Sequence, residues 1–215
     1  MQLHNYFRSS ASYRVRIALA WKGLAYDYLP VHLVRNGGAQ NGEAFLALNP
    51  EGLVPAMVDD DGAVLTQSLA MLEYIEERHP TPPLLPVAAA DRAWTRALAA
   101  QVACEIHPLN NLRVLKYLEQ TLGVSAEQKL AWISHWITLG FASLESHLAH
   151  DARTGTCCLG DTPTFADLCL VPQMFNARRF NLPMYAFPTL VRIDAHLQQL
   201  DAFRAAAPGA QPDAE

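Results

Sequence analysis

The chain has 215 residues, enough for one large domain or two small ones, and its 51% hydrophobic against 17% charged composition excludes disorder. A formal charge of −5 argues against a general nucleic-acid binder, which normally carries a basic balance. The longest stretch without Asp, Glu, Lys or Arg, Leu130 to Leu144, is interrupted by Ser134, His135 and Thr138 and is too short to span about 30 Å of hydrocarbon, so no membrane partner is expected.

Residues Leu3 to Phe7 are β-favouring and run into a polar turn, which predicts a strand. A helix is predicted from Ser10 to Trp21, with Val15, Ala18 and Leu19 at helical spacing and Lys22 then Gly23 as stop signals. Tyr26 to Val31 predicts a second strand, and Glu43 to Leu48 a short helix ended by Asn49-Pro50. Ala56 to Val58 and Ala63 to Thr66 flank Asp59-Asp60-Asp61-Gly62, a hairpin signal, and Ser68 to Arg78 predicts a helix. The order β-α-β-α-β-β-α implies an opening parallel pair with an antiparallel hairpin added to the same sheet.

His79-Pro80-Thr81-Pro82-Pro83-Leu84-Leu85-Pro86 is a stiff connector, because proline cannot continue a helix and restricts the residue before it. The chain is therefore expected to divide into residues 1–80 and an all-helical part, 87–215. Helical patterns run from Ala88 to about Gln120, Ser125 to His150 and Thr164 to about Arg179, with shorter ones from Thr189 onward. Thr164-Phe165-Ala166-Asp167 has the form of a capping box. Pro108 inside the first long pattern requires a bend there. The stretch Pro208 to Pro212 has no periodicity and is expected to fray or drape over the surface.

The residues that could carry chemistry cluster early. Phe7-Arg8-Ser9-Ser10-Ala11-Ser12 places several hydroxyls where a strand hands over to a helix. Helix N-termini expose unpaired N–H groups and the positive end of the dipole; a hydroxyl there either caps the helix or donates to a bound thiolate or oxyanion. Arg8, Arg14, Arg16 and Lys22 precede any acidic residue. They either draw in an anionic ligand or lie on a solvated face, Arg8 being best placed for a ligand. Ser68 reads as the N-cap of its helix, without an acidic partner three residues on, so its first N–H groups are open to water or to a ligand carboxylate. Polar residues at the His107-Pro108 kink face a cleft or are satisfied internally, and Arg178-Arg179 suits a helix C-terminus.

Four cysteines, Cys104, Cys157, Cys158 and Cys169, form no CxxC pair and read as small buried residues of a cytoplasmic protein. The opening residues lack the cationic start and apolar stretch of a secretory signal. No metal-ligand spacing occurs among the eight histidines.

Taken together, these residues resemble the zeta class of glutathione transferases over nearly the whole chain. Ser9-Ser10-Ala11-Ser12-Tyr13-Arg14-Val15-Arg16-Ile17-Ala18-Leu19 is similar to the family signature SSCSWRVRIAL. Asn49-Pro50, Val54-Pro55 and Gln67-Ser68-Leu69-Ala70 match the glutathione-binding half, and Asp167-Leu168-Cys169-Leu170-Val171-Pro172-Gln173 the helical half. The resemblance implies an α/β plus all-α architecture, a thioredoxin-like domain followed by an all-helical one, in a homodimer with Pro55 in cis. It implies glutathione as cofactor and a small anionic dicarboxylate as substrate, with cis–trans isomerisation of maleylacetoacetate as the reaction and maleylpyruvate as the alternative substrate.

Roles follow from the same resemblance. Ser9 holds the glutathione sulfur as thiolate, beside Ser10; Val54 pairs with the peptide main chain; Gln67 and Ser68 take the γ-glutamyl carboxylate. Gln40, His107, Asn111 and Arg113 make further tripeptide contacts, and Arg8 and Arg179 hold substrate carboxylates. Ala11 departs from the signature, which has cysteine there, so the thiol must come from glutathione. Two other classes compete: a general transferase conjugating uncharged electrophiles, which needs an apolar pocket rather than arginines, and a non-catalytic binding module.

Overall fold

In the computed structural model, which describes residues 1–215, β1 (Gln2–Asn5) lies inside a four-stranded sheet of order β2-β1-β3-β4. It runs parallel to β2 (Asp27–Pro30) and antiparallel to β3 (Ala56–Val58), which pairs antiparallel with β4 (Val64–Leu65). The register sets Leu3 beside Tyr28 and Met57. With the strand period of two, this sends the fully buried Leu3 and Met57 into the core. The helices between are α1 (Ser10–Trp21), α2 (Glu43–Leu48) and α3 (Ser68–Arg78), the element order expected from the sequence.

The first strand is shorter than Leu3 to Phe7 for an identifiable reason. Arg16 Nη1 and Nη2 occupy the carbonyls of Tyr6 (3.3 Å) and Phe7 (2.8 Å), so these residues form a turn rather than a ladder. The second strand also contracts, to Asp27–Pro30 at the sheet edge.

The solvated face considered for Arg14 and Arg16 does not exist. Helix α1 is buried almost throughout, with Arg14 2% and Arg16 0% exposed. Arg16 also bonds Asn5 Oδ1 at 2.9 Å, so its charge is enclosed by oxygens. Lys22 is likewise internal: its Nζ pairs with Glu76 and donates to Pro82 O at 2.7 Å, while both Glu76 oxygens accept from the Leu84 N–H. This pins the proline connector, whose Thr81-Pro82 bond is cis, a feature the sequence does not announce. Of the four early cations only Arg8 is exposed.

The chain divides into two compact units, residues 1–84 with 198–215, and residues 85–197. The second unit holds α4 (Ala89–Ala100), α5 (Leu112–Gln120), α6 (Ala126–His150), α7 (Phe165–Arg179) and α8 (Pro188–Leu197). The pattern read as one helix from Ala88 to Gln120 is broken. After α4 the backbone widens to a π-helix over Gln101–Ile106 and tightens to a 3-10 turn over His107–Asn110, with Pro108 at its start, before Asn111 caps α5. Gly140 of α6 lets Ile106 approach, since a Cβ there would lie 2.3 Å from the Ile106 side chain.

Capping boxes start α6 (Ser125 with Gln128) and α7 (Thr164 with Asp167). The buried Asp167 carboxylate accepts from the Thr164 N–H (2.8 Å) and hydroxyl (2.9 Å) and from the Cys158 N–H (2.8 Å). Cys157, Cys158 and Cys169 are buried, as expected, but Cys104 is exposed on the widened turn; all four are unbridged.

Residues 198–215 do not belong with the helical part, as the expected division had it, and they do not fray. Helix α9 (Asp201–Ala206) packs on α1, where the Tyr13 hydroxyl donates to Phe203 O (3.3 Å) and Arg16 Nε to Ala206 O (3.0 Å). A 3-10 turn over Pro208–Ala210 follows, and the buried Gln211 donates to Ala205 O and Ala207 O. Side-chain to main-chain bonds of this kind leave no periodic signature in the sequence.

Candidate active site

Three segments of the first unit meet at one end of the sheet. The chain leaves β1 at its carboxyl end and turns into α1. Because β3 is antiparallel to β1, with His4 opposite Ala56, the Val54-Pro55 approach to β3 lies at that same end. Met57 faces Leu65, so β4 also exits there, into Gln67 and Ser68. In open α/β sheets this carboxyl end is where ligands collect.

At the first segment Ser9 is the N-cap of α1, with its N–H on Tyr6 O at 3.0 Å and its Oγ accepting from the Ser12 N–H at 3.2 Å. The hydroxyl is thus both the cap and a donor, because accepting through oxygen leaves its hydrogen to point outward. No acidic residue occupies the first turn of α1, so the positive end of the dipole is not neutralised locally. Ser10 is buried at the first helical position. Arg8 projects beside them: its guanidinium lies 5.4 Å from the Phe7 ring centre and 5.7 Å from that of Tyr6, and it donates to the Tyr6 hydroxyl at 3.1 Å.

The second segment carries the cis Val54-Pro55 bond. Half-buried Val54 sits outside the strand ladder, which begins at Ala56.

The third corrects the reading of Ser68 as cap. Gln67 holds the cap position with φ +64°, a backbone region that side chains other than glycine rarely adopt, and caps α3 with no side-chain hydrogen bond. Its amide instead donates to Glu51 Oε2 at 2.7 Å. Ser68 is the buried first helical residue, its Oγ accepting from Arg14 Nη1 at 3.1 Å. The first N–H groups of α3 therefore have no side-chain cap from the cap residue, and an exposed, strained Gln67 stands at their mouth. A peptide carrying a carboxylate and a thiol fits these three segments: an open helix N-terminus for the carboxylate, off-ladder backbone for the main chain, and a donor hydroxyl for sulfur.

Gln40 is placed differently. It is buried, with Nε2 on Leu33 O at 3.3 Å and Oε1 without a partner, and it packs so closely on Gly38 that a Cβ there would be 2.5 Å from its amide. In the second unit, His107 is half-buried in the 3-10 turn, Asn111 Oδ1 is engaged by the Arg113 N–H at 3.1 Å, and Arg113 is exposed on α5. Arg179 closes α7, exposed, its Nη2 on Asn176 Oδ1 at 2.9 Å and its guanidinium 4.2 Å from the Phe180 ring centre. Its neighbour Arg178 is bound to the buried Asp194 at 2.5 Å.

The chain's own buried thiols are poorly suited to nucleophilic work. Burial pushes the Cys157 thiol up to about 12, and burial with the nearby Asp167 raises Cys158 as well. Sequence reasoning undervalued Arg14, which tethers Ser68; a cation inside a sequence without clear amphipathicity was the available signal.

Fold and site together define a thiol-peptide-binding unit joined to a helical unit. The glutathione S-transferase N-terminal domain family matches residues 8–78. The chain is 50% identical over 212 residues to the probable maleylacetoacetate isomerase of Vibrio cholerae serotype O1, covering 99% of this chain and 97% of that one. It superposes on the holo structure of a maleylpyruvate isomerase, a bacterial zeta-class glutathione S-transferase, with TM-score 0.97, 49% identity and full coverage of both chains. A maleylacetoacetate isomerase of Methylobacterium extorquens AM1, solved with malonate and glutathione bound, matches at TM-score 0.96 and 40% identity, again with full coverage. The chain belongs to the zeta class of glutathione S-transferases, within the maleylacetoacetate and maleylpyruvate isomerase family.

Proposed function

We propose that the protein is a glutathione-dependent cis–trans isomerase converting maleylacetoacetate to fumarylacetoacetate. The observation that carries this reading is the Ser9 hydroxyl, engaged as acceptor by the α1 cap and so left to donate at the positive end of the helix. When bound, glutathione supplies the thiolate that adds to the cis double bond, leaves it single so that it can rotate, and departs to leave the trans isomer.

The chain's residues make that chemistry available. An ordinary thiol titrates near about 8.5. The Ser9 O–H and the α1 dipole stabilise its ionised form. Val54 aligns the tripeptide main chain, and Gln67, Ser68 and the open start of α3 take its γ-glutamyl carboxylate. Ser10, Gln40, His107, Asn111 and Arg113 are assigned the remaining tripeptide contacts. Arg8 takes a substrate carboxylate and stabilises the negative charge that develops on the substrate oxygen, a role shared with Arg179. The dicarboxylate-handling arginines favour this reaction over conjugation of uncharged electrophiles. The same reading places the enzyme in the cytoplasm as a homodimer.

Maleylpyruvate is the second candidate substrate, supported by the 49% identity to a solved maleylpyruvate isomerase. The test is loss of the maleyl chromophore with each substrate, with and without glutathione, for wild type and Ser9→Ala. Glutathione-dependent turnover that falls sharply in Ser9→Ala is expected. Turnover of either substrate at the same rate without glutathione overturns the reading.

A further inference from the structure

The turn that carries Arg8 and Ser9 begins at the Tyr6–Phe7 peptide group, which is held at both its carbonyl and its N–H. The Tyr6 carbonyl accepts from Arg16 Nη1 at 3.3 Å and from the Ser9 N–H at 3.0 Å, and the Phe7 N–H of the same peptide group donates to Asp213 Oδ2 at 3.2 Å, across 206 residues of sequence; the next carbonyl, that of Phe7, accepts from Arg16 Nη2 at 2.8 Å. The other Asp213 oxygen accepts from the Tyr28 hydroxyl on β2. Asp213 is thus bonded at once to the edge strand and to the β1–α1 turn.

The segment around it is held independently. Glu215 Oε1 meets His32 Nε2 at 2.9 Å and Arg35 Nη2 at 2.5 Å. His32 Nδ1 accepts from the N–H groups of Val34 and Arg35, which leaves the ring proton on Nε2, facing Glu215. Upstream, Gln211 ties back to α9 through Ala205 O and Ala207 O. Asp213 therefore sits between two fixed points, and its carboxylate is delivered to the Phe7 amide by a braced segment.

We propose that Asp213 is a positioning residue for the isomerase: by holding the Phe7 amide it fixes the direction of the Ser9 hydroxyl and the Arg8 side chain, two and one residues further on. The inference rests on the role proposed above for Ser9. Anchors at both the carbonyl and the N–H of the Tyr6–Phe7 peptide limit its rotation; with Asp213 gone, it is held only at the carbonyl, by Arg16 and by the Ser9 N–H itself, and the plane tilts about that end, taking Ser9 with it. A donor displaced by a fraction of an ångström loses alignment with the sulfur, and misplacements of about 1 Å cost as much as 10²-fold in rate. Burial raises the Tyr28 phenol, as does its bond to Asp213, so Tyr28 stays a donor throughout the working pH range.

The experiment compares wild type, Asp213→Ala, Asp213→Asn, Tyr28→Phe and Ser9→Ala in the full chain, reading kcat, the glutathione KM and the acid limb of the pH profile. Asp213→Ala is expected to lower kcat by about one to two orders of magnitude, to move glutathione KM far less, and to shift the acid limb to higher pH, as a less stabilised thiolate requires. Asp213→Asn keeps an acceptor for the Phe7 N–H and restores most of the rate. Should Asp213→Ala fail to fold, Tyr28→Phe, which removes one of the two Asp213 bonds, carries the test with a smaller shift in the same direction. Loss of thermal stability with unchanged kcat and acid limb in Asp213→Ala, or in Tyr28→Phe if that variant must stand in, or an Asp213→Asn variant no better than Asp213→Ala, overturns the proposal. An unchanged acid limb in Ser9→Ala instead overturns the reading of Ser9 on which it rests.

Discussion

Arg14 Nη1 donates to Ser68 Oγ across 3.1 Å, joining the middle of α1 to the first residue of α3. Both side chains are buried, so the two helices whose starts frame the proposed glutathione site are linked through a charged hydrogen bond shielded from water. Arg14→Met, of similar reach but without the donor, is expected to weaken glutathione binding by roughly tenfold or more, since hydrogen bonds to charged groups contribute about 1.5–3 kcal/mol. Calorimetric titration checks this; an unchanged affinity would refute the link between Arg14 and the γ-glutamyl end.

The Lys22–Glu76 pair makes a stability prediction. The Lys22 side chain is wholly covered and that of Glu76 nearly so, and Glu76 also takes the Leu84 N–H. Glu76→Ala leaves a buried ammonium without its counter-ion and is expected to cost about 3–5 kcal/mol, while replacing both residues by methionine recovers much of the loss. Urea denaturation measures both; equal losses in the single and double variants would count against an uncompensated charge as the cause.

For Arg179 the expectation is a division of labour. Its exposed guanidinium meets Asn176 and Phe180 at its own helix end. Arg179→Ala is expected to raise the substrate KM about tenfold or more, the loss of a charged hydrogen bond, with little change in glutathione affinity. Matching losses for both ligands would remove Arg179 from the substrate role.

Glu215 supplies a pH prediction. Its hydrogen bond to His32, with the charges of Arg35 and Arg8 nearby, holds its carboxyl below the ordinary glutamate value. A carboxyl lowered on folding contributes its stabilisation fully above that ordinary value, about 4.3, and loses it as pH falls through the folded value. Carboxyl NMR should therefore find Glu215 titrating below the ordinary glutamate value, and His32→Gln should bring it back up. Coincident titrations in the two proteins would exclude the pairing in solution.

Much of the first unit was legible because its signals are local. The bounds of α1, α2, α3 and β3 follow from spacing, stop residues and the Asp59–Gly62 turn, and the α7 start from a capping box whose partners are three residues apart. Ser9, Val54, Gln67 and Ser68, the candidate site residues singled out in the sequence for the first unit, gather at one end of the sheet. What stayed hidden depends on distant partners. Arg14 and Arg16 look solvated by composition, yet their oxygens come from Ser68, Asn5 and Ala206. Asp213 has no local partner to betray it. The Gln67 cap was misplaced onto Ser68 because residue preference describes ordinary caps, whereas the backbone here adopts a conformation that preference would give to glycine.

That conformation sets selection for durability against selection for use. A Gln67→Gly change relaxes a torsion that costs on the order of 1–3 kcal/mol in other residues, yet it removes the amide standing at the mouth of α3. Directed evolution scored on heat survival alone should therefore drift toward glycine at 67, and the same library scored on turnover at scarce glutathione should keep returning to glutamine.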